Sequence, residues 1–320
     1  MKTLNLFLVL ILFPVIQFSC SKESREIRPV SLKCEYLTDP PGIDVNSPRL
    51  SWKTEALSDN VFNQMQKAYQ ILVASSPDKL TEAAADLWNS GKMKSDAGTQ
   101  VVYRGKQPSS GQKCYWKVRV WNQANEHTPW SEAAVWAMGL LDESDWKAKW
   151  IGGQPDLAQK AYRDYLDNYD PKSSSALKNI RPLPPPSPML RKKFTVKSGV
   201  KDASLYVSAL GYYEIALNGK KVGNQVLAPE WTDYNQRVQY QVYDVSRDLK
   251  GGENVLSSIL ADGWYLGMLG PIKWHTDYPR RGIYGNDRRL IAQLVIHYQD
   301  GTDQVVPTDE IVRLLELTFS

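Results

Sequence analysis

Hydrophobic and polar positions alternate with a period of two along much of the chain after residue 30, as they do in half-buried β-strands. Ala68–Ala74 (AYQILVA) and Tyr115–Trp121 (YWKVRVW) are the clearest early strands, and turns rich in Gly, Pro, Asn and Asp separate them from their neighbours. About seven short strands fit within residues 30–140, which predicts a fibronectin III or immunoglobulin-like sandwich. No Cys…Trp…Cys spacing is present, and this favours the fibronectin form.

A second alternating region covers residues 189–310 and contains a predicted β-meander at residues 204–245. Apolar residues alternate at 205–209 and again at 213–217, and Asn218-Gly219 follows, the pair that a type I′ hairpin turn prefers. Leu290–Tyr298 is a predicted core strand. The pattern predicts a jelly-roll-like antiparallel β-sandwich, so the whole protein is expected to be all-β. Residues 141–152 are a predicted joint, and residues 153–188 a Pro- and Ser-rich loop.

The first twenty residues predict export. Lys2 precedes an apolar run that is short for a membrane span and ends in Phe18-Ser19-Cys20, which resembles a lipoprotein processing box. We expect cleavage before Cys20, acylation of its thiol, and anchoring to the periplasmic or outer face of a bacterial membrane, with residues 21–29 as a tether. An ordinary cleaved signal with an incidental Cys20 is the alternative.

Composition narrows the classes of partner. A net charge of +4 over 320 residues, with basic and acidic groups interspersed, gives no support for nucleic-acid binding. Export permits a disulfide, but Cys34 and Cys114 are predicted to be buried thiols. The three histidines are isolated and no nucleotide-binding fingerprint occurs, so neither a metal nor a cofactor is predicted.

Eleven Trp and seventeen Tyr suit both core packing and stacking on sugar rings. The candidates for binding a glycan lie in loops close to carboxylates and amides; they are Trp231, Trp264, Tyr265 and Trp274. Ordinary loop packing is the alternative for each. Glycoside hydrolysis needs two carboxylates on opposite sides of the scissile bond. The acidic residues of this region are predicted to be solvated or turn-forming, and none is predicted to be catalytic; they are Glu214, Glu230, Asp233, Asp244 and Asp262.

Four motifs in order, GYYEIALNGKKVG, LAPEWTDY, RVQYQVYDV and DGWYLG, resemble the N-terminal β-sandwich of bacterial α-L-rhamnosidases, and PRLSW, AYQILVAS and YWKVRVWN resemble the family's first domain. The resemblance implies an inverting glycoside hydrolase that removes terminal α-L-rhamnose without a cofactor. It also implies that the acid and base lie in a later (α/α)6 barrel, before which this chain ends. Similarity is expected to stop near Glu310, with residues 311–320 an aberrant tail.

Two functions therefore remain open, and whether this chain is itself an enzyme is uncertain. The first is the N-terminal part of an exported α-L-rhamnosidase, which supports substrate recognition or domain docking without catalysing hydrolysis. The alternative is a free-standing, lipid-anchored carbohydrate-binding protein. A pair of structural or adhesive sandwiches with no sugar ligand is a third, weaker option. The expected partners are a rhamnose-containing glycan and, through the lipid anchor, a membrane.

Overall fold

The computed structural model describes residues 26–60, 62–152, 187–269, 280–282, 284–285, 287–310 and 313–315. Cys20, Trp274 and nearly all of the predicted Pro- and Ser-rich loop lie outside these ranges. Among the described residues, no helix has the length and hydrophobicity needed to cross a bilayer. The described chain consists of antiparallel β-sheets with short turns, as predicted.

The N-terminal strands form two sheets. The three-stranded sheet has the order β1-β2-β6, and the other has the order β4-β3-β7-β8 with β5 also on β3. The strands are β1 (Ile27–Cys34), β2 (Arg49–Ala56), β3 (Ala68–Ala74), β4 (Trp88–Asn89), β5 (Met93–Lys94), β6 (Val101–Val102), β7 (Lys113–Trp121) and β8 (Ala134–Ala137).

Burial follows the sequence pattern in these strands. Every residue of β3 is buried, whereas β7 alternates buried and partly exposed positions. Trp52 on β2 and Trp116 on β7 are core residues, 3% and 0% exposed, as predicted. The segment after β3 forms a 3-10 turn at Pro77–Lys79.

The C-terminal strands form two five-stranded sheets and a short two-stranded one. Their orders are β13-β12-β15-β10-β20, then β14-β11-β18-β19 with β9 also on β18, and β16-β17. The strands are β9 (Ile151–Gly152), β10 (Met189–Val196), β11 (Val200–Leu210), β12 (Tyr212–Leu217), β13 (Lys220–Lys221), β14 (Gln241–Asp244), β15 (Gly252–Ala261), β16 (Met268–Leu269), β17 (Arg280–Arg281), β18 (Arg289–Tyr298), β19 (Asp303–Pro307) and β20 (Arg313–Leu315).

One apolar core unites the two larger sheets. Leu205 and Val207 of β11 pack with Ile215 and Leu217 of β12 and with Leu294 of β18, and all are at most 2% exposed. The predicted hairpin joins β12 to β13, because Asn218 and Gly219 have φ values of 53° and 82°, as a type I′ turn requires. A further 3-10 turn lies at Glu143–Asp145.

The chain divides into two compact units. Unit 1 takes in the described residues up to Thr38, then Ser47–Lys106 and Tyr115–Ala134, and unit 2 takes in Asp39–Asn46, Gln107–Cys114 and the chain from Val135 onward. The domain boundaries predicted from the sequence stay predictions. Arg313–Leu315, within the predicted aberrant tail, forms strand β20 on β10.

Candidate functional site

The loop between β13 and β14 carries Trp231 at its surface. The N–H of Tyr213 on β12 donates to the carbonyl of Ala228 at 3.0 Å, and the side-chain amide of Gln241 on β14 donates to the carbonyl of Pro229 at 3.2 Å. The Tyr213 hydroxyl in turn donates to Gln241 Oε1 at 2.8 Å. Strands of both large sheets therefore hold the base of the loop just before Trp231.

A second segment, residues 262–267, follows β15 and forms a helical turn at Gly263–Leu266. Gly263 has φ 53°, and a Cβ added there would lie 2.7 Å from the ring of Tyr212. Leu266 is buried and anchors the turn. Only glycine fits at position 263 without strain, and the turn presents Trp264 and Tyr265 beside the first loop.

The two loops meet through their aromatic rings. Trp231 and Trp264 stack with centroids 5.4 Å apart and planes 24° from parallel. Tyr212 lies edge-on to Trp264 at 6.3 Å. Trp231 is 54% exposed and Trp264 38% exposed, so this stacked pair faces solvent. A large exposed aromatic pair held by its own stacking is a surface suited to a partner with apolar faces.

Three tyrosines extend the surface. Tyr234 packs against Tyr265 with centroids 5.2 Å apart and against Tyr284 at 5.1 Å. Its hydroxyl donates to the carbonyl of Glu230 at 3.1 Å. Burial raises the pKa of Tyr234 to about 12, with Tyr212 and Tyr284 adding to the shift. Tyr234 is therefore a neutral hydrogen-bonding group at ordinary pH.

An open cleft of about 540 Å³ lies beside these rings; we call it the aromatic cleft, and it is lined by Trp231, Thr232, Asp233, Asn235 and Tyr284. Asp233 and Asn235 are exposed, and Asp233 Oδ1 accepts the N–H of Asn235 at 3.1 Å, which fixes the local turn. The Thr232 hydroxyl donates to the carbonyl of Arg237 at 2.5 Å. The cleft combines an aromatic wall with a carboxylate and an amide, a pairing suited to a small polar ligand that also has apolar faces.

Tyr212 lies behind Trp264. Burial raises the pKa of Tyr212, with the nearby charge of Glu230 adding to the shift. Its hydroxyl is buried and has no hydrogen-bond partner among the residues that the structure describes. This side chain therefore supports the aromatic surface by packing.

The other candidate carboxylates have structural roles. Glu214 faces solvent on β12 and pairs with Lys221 at 2.7 Å, and Asp244 accepts the N–H of Ser246 at 3.0 Å, both as predicted. Asp262 Oδ1 lies 3.6 Å from Nε of the buried Arg288, at the start of the helical turn. These contacts hold a hairpin, a strand end and a loop in place.

The sequence identified part of this site. The structure brings the predicted Trp231, Trp264 and Tyr265 together in one surface, while the predicted Trp274 lies outside the described residues. Sequence reasoning missed Tyr234 and Tyr284. Tyr234 had a usable signal, because WTDY places it three residues after Trp231.

In the described part of the chain, no group of three or more His, Cys, Asp or Glu side chains is arranged to hold a metal ion. Cys34 and Cys114 are both buried and are not joined by a disulfide, as predicted.

The chain contains two pairs of sheets. The first pair is immunoglobulin-like, and the second carries the exposed aromatic cleft, so the chain is a two-domain β-sandwich protein. Residues 29–142 match the model of the Rha78A-like N-terminal immunoglobulin domain, and residues 198–316 match that of the alpha-L-rhamnosidase N-terminal domain. The second match ends at residue 316, six residues beyond Glu310, near which similarity was expected to stop.

Comparison with individual proteins also points to α-L-rhamnosidases. The chain is 37% identical over 318 residues to an alpha-L-rhamnosidase of Formosa agariphila, covering 97% of this chain and 32% of the relative. The structure of an alpha-L-rhamnosidase from Dictyoglumus thermophilum matches with a TM-score of 0.73 and 30% identity, over 92% of this chain and 30% of that one. That of Streptomyces avermitilis, complexed with L-rhamnose, matches with a TM-score of 0.74 and 25% identity, over 90% and 41%.

The chain therefore carries the two N-terminal domains of α-L-rhamnosidases, as predicted from the sequence. It spans about a third of the length of the curated relative that it matches.

Proposed function

We propose that this chain provides non-catalytic N-terminal domains of an exported α-L-rhamnosidase, and that its aromatic cleft contacts the rhamnose-containing glycan. The observation that carries the proposal is the exposed, stacked pair of Trp231 and Trp264 beside Asp233 and Asn235. Similarity to α-L-rhamnosidases over 97% of the chain, and a relative whose structure holds L-rhamnose, support rhamnose as the sugar.

The chemistry of the cleft suits this sugar. L-rhamnose has a methyl group in place of a hydroxymethyl group, so it presents an apolar edge as well as hydroxyl groups. The apolar edge would pack on the indole of Trp231, which is already oriented by Trp264 and loses little conformational freedom on binding. The carboxylate of Asp233 would accept hydroxyl hydrogens, and the amide of Asn235 would both donate and accept.

Catalysis is not part of the proposal. Hydrolysis with inversion needs an acid and a base on opposite sides of the sugar, with room for water between them. Glu214 and Asp262 each form an ion pair, with Lys221 and Arg288, and Asp244 accepts a hydrogen bond from Ser246. Asp233 lines the cleft from the same loop as Trp231, so it lies on one side of a bound sugar.

Export and anchoring through Cys20 are also proposed, on the strength of the N-terminal sequence alone. Labelling of growing cells with a palmitate analogue should mark the full chain and fail to mark Cys20→Ser. Equal labelling of both would remove the lipid anchor from the proposal.

Ligand-observed NMR tests the cleft. Methyl α-L-rhamnopyranoside should bind the full chain saturably, and Trp231→Ala should weaken binding about tenfold, equivalent to about 1.4 kcal/mol. Trp150→Ala is the matched control, because Trp150 is 39% exposed and is not among the cleft-lining residues. An equal loss in both variants, or no binding by the unaltered chain, would refute sugar recognition by the cleft.

A further inference from the structure

A row of alternating cations and tryptophans lies on the outer face of the sheet formed by β3 and β7 in unit 1. Lys117 Nζ lies 5.2 Å from the ring centroid of Trp130, whose ring also has the guanidinium carbon of Arg119 at 4.6 Å. Arg119 lies 5.1 Å from Trp121, and Lys92 Nζ lies 4.6 Å from that same ring. We call these five residues the cation–aromatic row.

Strand alternation produces the row. Cys114, Trp116, Val118 and Val120 of β7 point into the core, so the intervening positions, including Lys117 and Arg119, take the outer face. Lys117 and Arg119 are two residues apart, so their Cα atoms are about 6.6 Å apart along the strand.

Hydrogen bonds hold the row in place. Gln70 of β3 accepts two hydrogen bonds from the Arg119 guanidinium at 3.1 and 2.7 Å. Lys92 donates to Asn125 Oδ1 at 2.5 Å. Arg119 and Lys92 are thus oriented before any partner arrives.

Positive charge is crowded along this face. Burial lowers the pKa of Lys92, and the neighbouring Lys94 and Arg119 lower it further. Burial also lowers the pKa of Lys117, an effect that Arg119 strengthens and Glu82 opposes. Glu82 forms an ion pair with Arg119 at 3.0 Å and is itself half exposed. An incoming anion would relieve this repulsion, so the face favours a negatively charged partner.

We propose that the cation–aromatic row, with Lys94, is a binding surface for an acidic polysaccharide, whose carboxylate or sulfate groups pair with Lys92, Lys94 and Lys117. Trp121 is only 5% exposed. The tryptophans therefore act as supports that fix the cations, and the ammonium groups make the contact. Cations held in this way lose less side-chain freedom on binding than freely rotating surface lysines.

Lys117, Arg119 and Trp121 follow the extended strand β7, and Lys92 continues the row beyond Trp121. A linear polymer with charges at regular intervals matches this arrangement better than a compact anion does. The choice of a polysaccharide over other polyanions rests on the proposed function. The surface itself rests on unit 1 alone and uses no residue of the aromatic cleft, so the two proposals can fail separately.

The test uses polygalacturonate as the acidic probe and its carboxyl-reduced, neutral form as the reference. Binding to the full chain is measured by calorimetry. Lys92→Gln/Lys117→Gln removes two charges from the row while keeping a polar, unbranched side chain at each position. Lys33→Gln/Lys53→Gln removes two charges from β1 and β2, which belong to the other sheet.

The proposal expects polygalacturonate to bind and the neutral polymer not to bind. The first double variant should weaken binding about fivefold to tenfold, and the second less than about twofold. Affinity should fall as salt rises from about 50 mM to about 200 mM. Equal weakening by both double variants, equal binding of the neutral polymer, or tighter binding of duplex DNA than of polygalacturonate would each overturn the proposal. Trp231→Ala should leave polygalacturonate affinity unchanged.

Discussion

At the scale of single residues, the stacked pair of Trp231 and Trp264 depends on the backbone of Gly263. Its left-handed conformation turns the chain sharply after β15, and the ring of Tyr212 occupies the space that a side chain would need. Without this turn Trp264 would not reach Trp231. Gly263, which has no side chain, thus places the indole of Trp264 on this surface.

Gly263→Ala should therefore destabilise unit 2 by about 3 kcal/mol, because backbone strain adds to a clash with an aromatic ring. Urea unfolding followed by circular dichroism measures the loss. Gly199→Ala is the matched control: its φ is 82° but nothing surrounds it, so only backbone strain of about 1–2 kcal/mol is expected. A Gly263→Ala cost no larger than that of the control would contradict this account of the turn.

The sequence predicted some residues of the site and not others, for a physical reason. Trp231, Trp264 and Tyr265 stand in glycine-punctuated or turn-forming loops, where a large aromatic residue has no strand position to fill. Tyr284 joins them only because the chain returns to the same surface before β18. Contacts of that kind depend on tertiary structure, which local patterns do not encode.

At the scale of elements, strands were the most predictable feature. β3 agrees with its predicted bounds, because a run of seven residues that is apolar except for Gln70, closed by Ser75-Ser76-Pro77, leaves little ambiguity. β14 is shorter than its motif suggested and ends at Asp244, whose carboxylate bonds to Ser246 and closes the strand. Strand ends were harder to predict, since side-chain hydrogen bonds compete there with the sheet ladder.

Several strand and loop tyrosines make unit 2 sensitive to alkaline pH. Burial raises the pKa of Tyr206 on β11 and of Tyr234 to about 12 each. An unfolded chain releases these protons near pH 10, so between about pH 10 and about pH 12 the unfolded state binds fewer protons and stability falls as pH rises.

The urea midpoint of unfolding should be lower at about pH 11 than at about pH 9. Tyr206→Phe should reduce this difference between the two midpoints. Tyr36→Phe, at a tyrosine that is 51% exposed, serves as the control and should leave the fall unchanged. A midpoint that stays constant across this range would show that these hydroxyl groups do not have the environments described.

At the scale of the whole molecule, two β-sandwich domains of the α-L-rhamnosidase family are carried on a chain that spans about a third of a curated relative. The order of motifs predicted the family correctly, because each motif combines turn residues with core positions that a shared fold requires. The structure adds two candidate surfaces in separate units: the aromatic cleft in unit 2 and the cation–aromatic row in unit 1.

The central claim is that this chain recognises the rhamnose-containing substrate without cleaving it. Calorimetric titration of p-nitrophenyl α-L-rhamnopyranoside into the full chain tests both halves of the claim together. We predict a saturable binding heat that Trp231→Ala weakens, with heat flow returning to baseline after every injection and no nitrophenol released. A sustained heat flow accompanied by nitrophenol, or a titration with no binding heat at all, would contradict the account.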